Sequence, residues 1–106
     1  MGGAAIDYST DLEIESASGF FGRMRGLIGR GELAPRQAFL IEHCSSVHGF
    51  GIFVPLDVAF IARDGTILKI VQLKPNRIAS CRAAQHVLEM RFGECDRLGI
   101  SVGEKI

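Results

Sequence analysis

Cysteine is scarce in this chain: three among 106 residues, at Cys44, Cys81 and Cys95. A small, odd number does not build the disulfide framework of a secreted scaffold, so the expected compartment is a reducing cytoplasm. Net charge is missing too. Twelve Lys and Arg cancel twelve Asp and Glu, which leaves no electrostatic footprint for a general polyanion binder. No apolar run approaches the ~20 residues that cross a bilayer as a helix. No basic segment followed by an apolar one marks a signal peptide; a leader already removed would make the periplasm the alternative. Repeats, low-complexity tracts and linkers are likewise absent. What is present is 47% apolar residues, enough for one core, in a length typical of one domain of about 100–150 residues. Residues 1–106 are therefore expected to fold as a single domain, with 1–5 as a flexible start.

Residues 6–14 alternate unevenly and run into Ser16-Ala17-Ser18, the pattern of an edge strand leading to a helix start. Phe20, Phe21, Met24, Leu27 and Ile28 then recur at helical spacing, with Ser18 placed to cap and Gly29 placed to end the helix. Such a stripe is core packing rather than a cofactor box. Asp64-Gly65 between two apolar runs is a strong hairpin signal. A two-residue loop there makes paired positions sum to 129: Leu56 faces Leu73, Asp57 faces Gln72, Val58 faces Val71, Phe60 faces Lys69 and Ile61 faces Leu68. Both faces of this hairpin are largely apolar, so it is expected to be central and covered on two sides. Glycines 49 and 51, just upstream, predict a bend or a close backbone approach. In residues 83–92 the composition favours helix, but Ala84, His86, Leu88, Met90 and Phe92 alternate with polar neighbours. Period outweighs propensity where a face is buried, so a strand is expected, with Glu89 solvated on its far side. A helical turn over 93–98 and a last short strand starting at Ile100 and Val102 complete the reading.

Four segments in this order resemble the domain-of-unknown-function family DUF192, a small uncharacterised prokaryotic domain. They are Gly26-Leu27-Ile28-Gly29-Arg30, Val54-Pro55-Leu56-Asp57 with Asp64-Gly65, Val87-Leu88-Glu89-Met90 and Leu98-Gly99-Ile100. The resemblance implies a mainly β domain, at the margin of α+β, built as a compact sandwich or barrel with one packed helix; it implies no reaction. Relatives often carry an Asn-Thr pair before the Pro-Leu-Asp strand, where this chain has Gly51-Ile52.

The chemically loaded stretch is residues 43–57. His43, Cys44 and His48, with Cys81 if its segment packs alongside, would suit a tetrahedral zinc ion, although no second paired motif accompanies them. A Cys44–Cys81 disulfide is the oxidising alternative. Cys44, His48 and Asp57 could instead make the Cys-His-Asp arrangement of a small hydrolase. Against both stands the plainer reading, in which cysteines are buried and Asp57 satisfies backbone amides. Basic clusters at Arg23, Arg25, Arg30 and Arg36, and at Lys74, Arg77 and Arg82, lack interleaved aromatics, so nucleic acid is not an expected partner. The expectation is a non-enzymatic accessory module without a cofactor. It would bind a small molecule or a protein on a surface lined by His48, Phe50, Asp57 and Gln72.

Overall fold

The computed structural model describes residues 12–16, 35–49 and 54–106. The helix expected over 20–28, the motif at 26–30, Phe50, Gly51-Ile52 and the first part of the 6–14 strand lie outside these residues. The remainder is mainly β, as expected. Seven strands are described: β1 (Glu13–Ser16), β2 (Gln37–Glu42), β3 (Ser46–His48), β4 (Leu56–Ile61), β5 (Ile67–Leu73), β6 (Ile78–Ser80) and β7 (His86–Arg91). A short helix, α1 (Glu94–Leu98), follows. Five strands make a mixed sheet in the order β1-β2-β7-β4-β5, and β3 pairs with β6 as a separate ribbon. β1 runs parallel to β2 at one edge; the other pairings are antiparallel.

The inner strands β4 and β7 are buried on both faces, which explains why they read as nearly unbroken apolar runs. Leu56, Val58 and Phe60 of β4, Phe39 and Ile41 of β2, and Val87 of β7 share one face, covered by Val47 and Ala79 of the ribbon. Ala38, Ala59, Ile61, Leu88 and Met90 share the other, against Leu12, Cys95 and Ile100. Two-sided cover also decides Glu89. It was expected in solvent opposite the apolar stripe, yet it is fully buried beside Val58 and Phe39 in the register. Strand alternation separates two faces but does not make either one wet. Phe92, expected to continue the stripe, lies beyond the strand end and is half exposed.

The hairpin holds the sum of 129 from Leu56↔Leu73 through Phe60↔Lys69 and then slips, so that Ile61 faces Ile67 instead of Leu68. The cause is the loop. Gly65 donates its N–H to the Ala62 carbonyl at 2.9 Å, and Ala62 donates to Thr66 at 2.8 Å, enclosing three residues rather than two. Gly65 takes the left-handed conformation (φ 93°) that this loop class requires, and Leu68 becomes the extra residue of a bulge. β4 is central as expected, but β5 is an edge strand with alternating exposure. Nor does Ile100 start a strand. The tail instead docks on the hairpin tip: Gly103 donates to Ile67, Ile67 to Glu104 and Ile106 to Gly65, with one bridge between Thr66 and Lys105.

Candidate functional site

Asp57 stands mid-sheet, 3% exposed, and its Oδ2 accepts the backbone N–H of Cys95 at 2.9 Å. The carboxylate thus satisfies an amide in the first turn of α1, a turn whose N-cap glycine has no side chain to offer. Burial, with Asp57 second and Asp96 and Glu94 adding to it, pushes the Cys95 thiol from 9.0 up to about 12. Gln72 is the cross-strand partner of Asp57, as expected, and is exposed on β5. His48 is elsewhere. It ends β3 opposite Ile78, in the ribbon whose Val47 packs on the face bearing Val58, whereas Asp57 points to the face bearing Cys95. His48 and Asp57 therefore sit on opposite sides of the large sheet, and the Cys44, His48 and Asp57 arrangement is not assembled.

The four candidate metal ligands fare similarly. Among the described residues no three His, Cys, Asp or Glu side chains gather as a metal set, so His43, Cys44, His48 and Cys81 do not converge. Cys44 and Cys81 are free thiols, both half-buried against the core cluster that contains Val47. Their segments are nonetheless adjacent: the Cys81 N–H donates to the Ser45 carbonyl at 2.9 Å, continuing the β3–β6 ladder.

That ladder creates a concave place of a different make-up. A cleft of about 300 Å³ is lined by His43, Cys44, Ser45, Arg82, Ala84 and Gln85. Three features shape it. His43 occupies the left-handed region (φ 55°), costly for a residue with a Cβ, and its N–H donates to Nδ1 of His86 at 3.3 Å. The two imidazoles meet edge to face at 5.8 Å. Cys44 donates its N–H to the Gln85 carbonyl, which ties the two lining segments together, and its S–H to the Ser46 carbonyl of its own segment. Sequence reasoning reached His43 and Cys44 but missed Ser45, Arg82 and Gln85. Arg82 stood in a recognised basic cluster; no local pattern says that residues 82–85 will face residues 43–45, because that follows from a ribbon only three residues long.

Solved structures agree with this fold. One, from Sinorhizobium meliloti 1021 and provisionally described as a transcription regulator, is 32% identical with a TM-score of 0.78, covering 89% of this chain and 79% of that one. A protein of unknown function from Novosphingobium aromaticivorans DSM 12444 is 24% identical with a TM-score of 0.77, covering 89% and 73%. No curated protein matches the chain. The family model for DUF192, described as Uncharacterized ACR, matches residues 4–106. A match of that extent, together with the 32% identity, settles the membership: the chain belongs to the DUF192 family.

Proposed function

We propose that this chain is a non-enzymatic accessory module of the cytoplasm that binds a small polar molecule in the cleft between residues 43–45 and 82–85. The observation that carries the reading is the cleft itself, where residues from two distant segments line a cavity of small-ligand size. Binding rather than hydrolysis is favoured by the state of the nucleophile. The Cys44 S–H donates to a carbonyl, which is no general base, and Asp57 lies on the other face of the sheet with its Oδ2 on the Cys95 amide. A role on nucleic acid finds no support in a chain of zero net charge.

The test is a melting-temperature screen of the full chain against neutral, cationic and anionic metabolites, followed by amide chemical-shift mapping of every hit. A ligand of the native state raises the melting temperature with concentration, by about 2.7 kcal/mol of added stability at a hundredfold excess over Kd. At least one compound should do so and shift the amides of residues 43–45 and 82–85. A screen without hits, or hits that map only elsewhere, refutes the proposal.

A further inference from the structure

We infer that the cleft selects an anion, a small carboxylate or phosphate compound gripped by Arg82; this rests on the binding reading above and narrows it to one charge class. The argument is a census of what the six lining residues have left to offer. Their backbone donors are largely committed. Cys44 donates to Gln85, Gln85 to Ile61, Ala84 to Cys81, and His43 to the His86 ring. Two carbonyls that could attract a cation are committed as well, Ser45 to Cys81 and Gln85 to Cys44. Among the described residues no carboxylate lines the cleft. Glu42, the residue before His43, lies at the end of β2 opposite His86 and is not among the lining residues.

What remains is cationic or neutral: the Arg82 guanidinium, the Gln85 amide, the Ser45 hydroxyl and the His43 imidazole. Among the described residues no carboxylate pairs with Arg82, although Arg97 and Lys105 each have one. A guanidinium presents a planar fork of donors that matches a carboxylate or phosphate edge with two parallel hydrogen bonds. The polar residues beside it can satisfy the remaining oxygens. A cation would meet the like charge of Arg82 here, with no carboxylate among the described lining residues to offset it. A neutral molecule would leave the exposed guanidinium to water and gain no charge-assisted bond from it.

The experiment titrates the full chain with inorganic phosphate and with citrate at constant ionic strength, with glucose as the neutral comparison and spermidine as the cationic one. Amide and arginine Nε resonances supply the readout. Phosphate or citrate should shift Arg82 Nε and the amides of 43–45 and 82–85, while spermidine does not. Arg82→Gln should weaken the anion at least tenfold, Arg82→Lys should weaken it less, and Arg77→Gln, at the far end of the ribbon, should leave it unchanged. Glucose shifting the cleft when neither anion does would overturn the anion assignment and leave the binding reading standing. Anion binding equally strong in Arg82→Gln would overturn it too. Silence from all four probes, after a screen without hits, removes both.

Discussion

Asp57 occupies the third position of the Pro-Leu-Asp strand, where a functional carboxylate is easy to imagine, and its oxygen goes to the amide of Cys95 instead. Removing that acceptor leaves a buried N–H without a partner, a penalty of about 1–3 kcal/mol. Asp57→Ala should lose that much in a urea titration without a change in slope, and Asp57→Asn, which retains an oxygen, should lose less. Equal stability of the alanine variant and the parent would refute the amide-satisfying role. The same burial shields the neighbouring thiol, so a neutral alkylating reagent at pH 8 should modify Cys44, which lines an open cleft, well before Cys95. Single residues were unevenly legible in the sequence. The acidic setting of Cys95 could be read from Glu94 and Asp96 beside it; the larger causes, burial and Asp57, come from residues distant in the chain. Glu89 was misjudged because alternation reveals which side chains share a face and is silent about what covers it.

Elements were legible in proportion to their length. The six residues of β7 show enough of a two-residue period to override a helical composition, and the β4–β5 register follows from its apolar pattern until the loop adds a residue. β3 and β6, three residues each, are too short to display any period, and the cleft they create was invisible for that reason. Gly49 was one advance sign of this ribbon, as was the pairing of the Cys44 and Cys81 segments. The Gly49 N–H donates to Arg77 at 2.7 Å, its carbonyl accepts from Asn76 at 3.1 Å, and a Cβ there would collide with the Lys74 carbonyl oxygen. A backbone atom cannot swing aside as a side-chain tip can. Gly49→Ala should therefore destabilise by about 1–3 kcal/mol, the usual cost of overpacking, with exchange protection of the β3 and β6 amides lost before that of β7. An alanine variant that melts with the parent would show that this approach has slack.

For the whole molecule, two buried groups couple stability to pH, one in acid and one in alkali. Glu94, 2% exposed, accepts the Arg97 guanidinium and the backbone N–H of Arg36, joining α1 to the entrance of β2. The Arg97 hydrogen bonds, the largest cause, hold its carboxyl below the ordinary range, so the unfolded chain takes up the proton first as pH falls. That contribution is present above the ordinary carboxylate range and drains away in acid. Cys95 acts at the opposite end of the pH scale. The unfolded thiol ionises near 9.0 while the folded one waits until about 12, so stability should fall as pH rises between those values. Melting curves across pH should show both limbs, with Glu94→Gln flattening the acid one and Cys95→Ala the alkaline one; an unchanged alkaline slope in Cys95→Ala would reject the assignment. The strand order carries a further consequence, in the time dimension. β7 lies between β2 and β4 but is made after both. A nascent chain on the ribosome therefore carries two strands whose inner edges wait for a partner still being translated, and β4 among them is apolar in five of its six residues. Until Arg91 emerges, those open edges can be taken by any other extended chain nearby. The interval between making β4 and making β7 is therefore the period in which those two edges stand open.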